Sequence, residues 1–387
     1  MAHGGIFIIK NRKATLCFMC LKKGNTVMRT VKVGIIGCGG IANGKHMPSL
    51  RQVAGVQMVA FCDLIIERAQ KAAKEYGTPD AKVYTDYKEL LADESIEVVH
   101  VLTPNRSHAD ISIDALYAGK HVMCEKPMAK TAEDAKRMVE AAKATGKMLT
   151  IGYQHRQKAS AQYAKQYIEQ GSLGEIYYAN CYAIRRRGTP NWGVFLNEYE
   201  QGGGPIIDIA THSLDLTLYL MNNYEPAMVL GKTHKALEHP EAGNIWGDNG
   251  VSTTPLEEAA CAIIVMKNGA TIMLETSWAL NTDTPIEEGS CRLCGSKEGL
   301  SIINNDLKIN KIELDIQVNI KVELGDGGVA FYSGGASTPP VAEARQWIES
   351  IVNDTTPTVL PEQACVVSQI LEAIYTSSKT GKAVYFE

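Results

Sequence analysis

What this chain of 387 residues lacks narrows its function first. It contains no run of the roughly 18 apolar residues that a membrane-spanning helix needs. Neither sign of charge dominates: 39 Lys and Arg stand against 43 Asp and Glu, a formal net charge of -4, and the two signs are interspersed. That excludes the basic footprint of a nucleic-acid binder and the polybasic surface that anionic lipid attracts. Internal repeats and low-complexity tracts are absent. A small-molecule partner is therefore the expectation, with neither nucleic acid nor membrane.

Cysteine is not scarce, at ten residues, but it is spread among apolar segments rather than gathered in a short, loop-rich frame. Such usage fits buried, reduced thiols in a cytoplasmic enzyme. Two C-x-x-C pairs, Cys17 with Cys20 and Cys291 with Cys294, raise the question of a four-cysteine zinc site. The second pair sits in a strand-like segment where positions three apart face opposite sides, so no metal is expected. Residues 1–29 read as a disordered extension. Gly4 to Ile9 and Leu16 to Leu21 are apolar, but Lys10, Arg12 and Lys13 separate them, no small-residue cleavage site follows, and Met28 is a candidate for the original start.

The chain is too long for one comfortable core, so two domains are the prior. Val31 to Ile36 is a β-branched run that breaks into Gly37-Cys38-Gly39-Gly40-Ile41-Ala42, with a helix expected from about Asn43. Gly37 suits a tight turn, Gly39 the close approach of a pyrophosphate, and Ala42 tight packing of helix on strand. A second apolar run, Val56 to Cys62, ends at Asp63, where a carboxylate would meet ribose hydroxyls. Asp63 argues for NAD over NADP, because a 2′-phosphate would meet like charge; Arg68, one helical turn on, softens that preference.

Short apolar runs at Val98 to Leu102, His121 to Met123 and Met148 to Ile151 then alternate with helical stretches, which predicts a doubly wound parallel sheet over residues 30–152. From residue 153 onward longer alternating strands appear: Ile176 to Ile184, Ala259 to Met266, Ala270 to Ala279 and Leu307 to Val322. Asn268-Gly269 marks a hairpin between two of them. With helices at Ser160 to Gln170 and Ile206 to Leu220, residues 153–387 read as an α+β domain with a large, open, mainly antiparallel sheet. Two late helices, Val341 to Val352 and Pro361 to Thr376, are candidates to pack back on the first domain.

Polar clusters follow several strand ends. Thr103-Pro104-Asn105, with His108 behind it, lies where α/β sheets bind ligands. Glu125-Lys126-Pro127 ends the next strand, and the Lys126-Pro127 bond is a candidate for the cis form. Gly202 to His212 combines three glycines, Pro205 at a favoured helix start, and Asp208, His212 and Asp215 spaced to share one side of a helix.

In combination these segments, with Gly152-Tyr153, strongly resemble the Gfo/Idh/MocA family, the relatives of glucose-fructose oxidoreductase and inositol dehydrogenase, from about Val31 to the C-terminus. The resemblance implies an N-terminal Rossmann domain joined to an α/β domain whose open sheet often makes oligomer contacts, hence a homodimer or homotetramer. Lys126, Asp208 and His212 match the family's catalytic trio. Gly37, Gly39, Gly40, Ile41, Ala42, Asp63, Arg68, Thr103, Asn105, His108, Glu125, Lys126 and Gln154 are expected to line the NAD. Arg185 and Trp192 would join Lys126, Asp208 and His212 around the substrate; Arg156 reads equally as a surface charge. The implied activity is NAD-dependent oxidation of a secondary hydroxyl of a sugar, inositol or glycoside. Two alternatives stay open: glycoside cleavage or epimerisation through transient oxidation by retained NAD, and a non-catalytic NAD-sensing regulator.

Overall fold

A computed structural model describes residues 29–324 and 338–387. The expected extension, Cys17 and Cys20 therefore lie outside the described residues, apart from Arg29. The N-terminal sheet contains β1 (Val31–Ile36), β2 (Val56–Cys62), β3 (Lys82–Tyr84), β4 (Val98–Val101), β5 (His121–Cys124) and β6 (Leu149–Ile151), all parallel, in the order β3-β2-β1-β4-β5-β6. Its strands are nearly continuous apolar runs because helices cover both faces. These helices are α1 (Met47–Leu50), α2 (Ile66–Tyr76), α3 (Tyr87–Leu91), α4 (His108–Tyr117) and α5 (Ala132–Thr145). Local chemistry sets their ends: Thr131 accepts from the Asp134 N–H to start α5, and Gly146 at φ 65° stops it.

The order reverses between β1 and β4, which opens a crevice at their carboxyl ends. There the chain leaving β1 passes so close to the end of β4 that a Cβ on Gly37, at φ 90°, would lie 2.6 Å from the Leu102 carbonyl oxygen. Gly37→Ala is accordingly expected to destabilise the protein by about 1–3 kcal/mol from backbone strain alone. Urea unfolding checks this; a midpoint equal to wild type would contradict it.

The second sheet has nine strands: β7 (Ile176–Ile184), β8 (Pro226–His234), β9 (Ala259–Met266), β10 (Thr271–Ser277), β11 (Ile286–Gly295), β12 (Gly299–Ile303), β13 (Asp306–Glu313), β14 (Ile316–Lys321) and β15 (Val384–Tyr385). They are ordered β14-β13-β12-β11-β7-β10-β9-β8-β15, antiparallel except for the central β7/β10 pair. Asn268-Gly269 does turn β9 into β10, with Gly269 at φ 87°. Leu307 to Val322 is not one strand: Leu314 and Asp315 at φ 51° and 61° fold it into the β13/β14 hairpin. β8 escaped the sequence reading because small and polar residues break its apolar pattern. Its Gly231 lies against Ile374, where a Cβ would come within 2.8 Å. Cys291 is buried on β11, whereas Cys294 is partly exposed.

Helices α6 (Ala159–Glu169), α7 (Glu198–Gln201), α8 (Thr211–Met221), α9 (Pro339–Asn353) and α10 (Pro361–Thr380) complete the fold. Helices α8 and α10 pack on one face of the large sheet, and α10 also packs back on α5 and β6 of the first domain. Helix α9 instead belongs to the other core, where Ala344, Trp347, Ile348 and Ile351 join Val31, Val33, Ile35, Met47 and Leu50. Between the sheets, Arg156 is fully buried rather than on the surface, because Asp215 on α8 receives it in two parallel bonds of 2.6 and 2.9 Å.

Candidate active site

The turn after β1 is held from behind and open in front. Gly37 N–H donates to the Cys62 carbonyl (2.8 Å), and Cys38 N–H to Asp63 Oδ2 (2.8 Å). Asp63 Oδ1 accepts from Ile65 N–H at 2.9 Å, so the carboxylate braces the loop while its remaining lone pairs stay available. A Cβ on Gly39 or Gly40 would meet nothing within 4 Å. Helix starts at Gly40, not near Asn43, since the Asn43 side-chain amide ties back to the Cys38 and Gly39 carbonyls at 2.8 Å each. Ala42 is buried, as close helix packing requires, whereas Ile41 next to it and Arg68 on α2 are exposed. The open glycines, the unpaired N–H groups of the first helical turn and the Asp63 carboxylate fit a pyrophosphate and a ribose. Gln154 fits as well: its buried Oε1 has no partner among the described residues and would accept from an amide such as nicotinamide carries.

At the end of β4, Thr103 Oγ1 accepts from Ser107 Oγ (2.8 Å) and the Asn105 amide donates to the Gln201 carbonyl (3.0 Å). His108 is buried with its ring nitrogens 2.8 Å from the Pro127 and Thr103 carbonyls, so it clamps the two loops together. The Lys126-Pro127 peptide is cis.

Glu125 faces inward. Its Oε1 accepts from Lys45 Nζ (2.7 Å) and lies 2.8 Å from His46 Nε2, while Oε2 accepts from Lys126 N–H at 3.0 Å. Burial pushes its carboxyl up, but Lys45 and His46 together outweigh burial and hold it well below the usual carboxylate range. Lys45 also pairs with Glu343 of α9 (2.9 Å). Sequence reasoning missed this cluster. Lys45 and His46 follow the glycine turn closely enough to be found; Glu343 carries no local signal.

The helical segment after Gly202-Gly203-Gly204 opens on one wide turn, Ile206–Ala210, before α8. That geometry separates the three residues expected on one side. Asp208 meets Lys126, whose Nζ donates to its carbonyl (2.9 Å) and to Oδ1 (3.2 Å). His212, one turn later, is 7 % exposed. Asp215 turns away to Arg156. Trp278 Nε1 donates to Asp208 Oδ2 at 2.9 Å, and His155 lies against His212 with ring centroids 4.8 Å apart. Neither Trp278 nor His155 stood out in the sequence, because their elements carry no distinctive spacing.

His212 Nδ1 is buried without a partner among the described residues. Burial, then Lys126 and His155, push the imidazole well below its ordinary value, so it is neutral at pH 7 with a lone pair to accept a proton. His155 is held down to about 3 by burial and nearby lysines. Unfolding returns such a ring to about 6.5, so the unfolded chain binds more protons below that pH and stability falls as pH falls. His155 alone is expected to remove about 2 kcal/mol between pH 7 and pH 5. Urea melts at the two pH values check this, and His155→Gln should flatten the dependence.

Arg185 Nη1 lies 3.8 Å from Asp208 Oδ2 and Nη2 3.4 Å from Glu288 Oε2. Trp192 is half-exposed and packs edge-on against Trp246 rather than against the Lys126, Asp208 and His212 group.

The family model of oxidoreductases with an NAD-binding Rossmann fold matches residues 31–153, and that of their C-terminal alpha/beta domain matches residues 165–386. The D-glucoside 3-dehydrogenase of Escherichia coli K12 is 37 % identical over 251 residues, covering 65 % of this chain and 71 % of the relative. An inositol 2-dehydrogenase of Salmonella paratyphi B is 40 % identical over 147 residues, covering 38 % of this chain and 44 % of the relative. The solved levoglucosan dehydrogenase in complex with NADH and L-sorbose shares the fold, with a TM-score of 0.77 at 22 % identity over 93 % of this chain and all of its own. With both domain models matched along one chain, and a glycine turn and polar crevice to suit them, this protein belongs to the Gfo/Idh/MocA family of NAD-binding oxidoreductases.

Proposed function

We propose that the protein oxidises a secondary hydroxyl of a sugar, inositol or glycoside, with NAD as acceptor. The observation that carries this reading is the bond of Lys126 Nζ to Asp208, with His212 buried one turn further along the same helical segment and within reach of the Lys126 charge. When bound, NAD supplies a nicotinamide carbon that accepts the hydride from the substrate's carbinol carbon. His212, buried and neutral, takes the hydroxyl proton. Lys126 stabilises the negative charge developing on that oxygen. Asp208, held by Trp278 and Lys126, orients the ammonium and a substrate hydroxyl. Arg185, near Asp208, would contact the remainder of the ring, and Trp192, farther out, the rest of the substrate. The relatives' printed names, a glucoside and an inositol dehydrogenase, support the substrate class.

The large sheet supports a homo-oligomer, since Leu230, Cys261 and Ile263 stand exposed on the strands. No described helix is long and apolar enough to cross a membrane. Among the described residues the cysteines are free and mostly buried, which is what supports a cytoplasmic enzyme.

The test is a panel of sugars, inositols and glycosides with NAD and, separately, NADP. NADH formation with a panel member is expected, with higher kcat/KM for NAD because Asp63 repels a 2′-phosphate. Product without net NADH would replace this reading by an internal redox cycle. Neither product nor NADH from any member would refute it, and a preference for NADP would refute the role of Asp63.

A further inference from the structure

Two surface loops, residues 185–200 and 237–254, are laced together beside the site. Asn244 accepts from Thr189 N–H (2.9 Å) and donates to the Thr189 and Gly247 carbonyls (3.1 and 2.7 Å). Asn191 donates to the Trp246 and Gly247 carbonyls, both at 2.8 Å. Both asparagines are buried, so these bonds fix the backbone under two large rings that nonetheless face out. Trp192 is 48 % exposed and Trp246 42 %, and they meet at nearly a right angle with centroids 4.7 Å apart. Phe195 braces Trp192 from the side, at 5.5 Å. Rigid support beneath exposed indoles is costly in water and marks a contact surface.

Its position says what the contact is. The Arg185 guanidinium lies 5.8 Å from the Trp246 ring centre and reaches 3.8 Å from Asp208 Oδ2. One side chain thus joins the aromatic corner to the group proposed to hold the reacting ring. A ring whose carbinol carbon sits at Lys126 and His212 occupies the near side of Arg185; the indoles lie beyond it. We propose that Trp192 and Trp246 form a subsite for a second ring, so that the substrate is a disaccharide or an aryl glycoside rather than a free monosaccharide or inositol. The C–H face of a second sugar, or the positively polarised edge of an aryl group, packs on the indoles, whose faces carry partial negative charge. Arg185 separates the two rings and donates to hydroxyls at their junction. This subsite rests on the dehydrogenase reading for its kinetic arm, but its binding arm does not.

For binding, acrylamide quenching of tryptophan fluorescence is measured on the NAD-loaded enzyme. Trp278 and Trp347 are buried, so among the described tryptophans the quenchable signal comes from Trp192 and Trp246. Cellobiose and phenyl β-D-glucoside are expected to shield it, and glucose to leave it unchanged. Tryptophans already shielded without sugar would show that another surface covers them and overturn the subsite. For kinetics, Trp246→Ala is expected to raise KM for the two-ring probes about tenfold and leave KM and kcat for a one-ring substrate within about twofold. Equal effects on both, or on neither, would overturn it; Trp246→Phe, which keeps an aromatic face, should restore most of the affinity. Absence of NADH with every probe refutes the dehydrogenase reading alone, and the quenching result then decides the subsite.

Discussion

Replacing His212 by alanine is expected to lower kcat by about 10²- to 10⁴-fold while the enzyme still binds NAD, the loss typical of a removed general base. The imidazole sits one turn beyond Asp208, buried against His155 and Tyr153, with Nδ1 free of partners among the described residues. Nothing in the glycine turn depends on it, so a fluorescence titration with NAD should give an affinity close to wild type. The pH profile supplies a second check. Because burial and Lys126 push the ring well below its ordinary value, kcat/KM of the wild type should stay flat through neutral pH and fall only on the acid side, as the base is protonated. Activity of the alanine variant within a few-fold of wild type would remove His212 from the mechanism.

The largest expected effect on stability belongs to Arg156→Ala, at about 3–5 kcal/mol of destabilisation. Arg156 and Asp215 are both fully buried, and the guanidinium also donates to the Thr358 carbonyl (2.9 Å) and Gln363 Oε1 (2.7 Å) while lying 4.7 Å from the Tyr219 ring centre. Deleting the arginine leaves a carboxylate stranded in an apolar interior and unties the start of α10 from α8. Replacing both partners by apolar residues, as in Arg156→Met with Asp215→Leu, should cost less than the single change, because no uncompensated charge remains. Urea denaturation of the three proteins separates these outcomes. A single variant within about 1 kcal/mol of wild type would mean that water or another cation reaches Asp215.

Much of the site was legible because its residues are neighbours in sequence. Gly37 to Ala42, Glu125 to Pro127 and Gly202 to His212 are each short segments whose residue types state a backbone or chemical need. The nucleotide sheet was equally clear, since buried parallel strands read as apolar runs with helices between them. Strand β8 and the β13/β14 division were not, because edge-region strands mix polar, small and apolar residues and their register depends on partners. Spacing alone also misgrouped Asp215 with Asp208 and His212. An ordinary helix would align them; the wide turn at Ile206–Ala210 and the pull of Arg156 send Asp215 elsewhere.

By itself the sequence determined the succession of a parallel sheet and a mainly antiparallel one, the dinucleotide turn, the acid at Asp63 and the segments from which Lys126, Asp208 and His212 come. These follow from local sterics, hydrophobic period and residue chemistry, which act over a few neighbouring positions. Only the tertiary structure decided that Trp278 grips Asp208, that Glu343 reaches Lys45 from α9, that Arg156 is an interior charge, and that Trp192 and Trp246 form one corner beside Arg185. Each of those contacts joins residues far apart in the chain. Such pairs are selected by burial and by the need of every interior charge for a partner, and no local pattern records that choice.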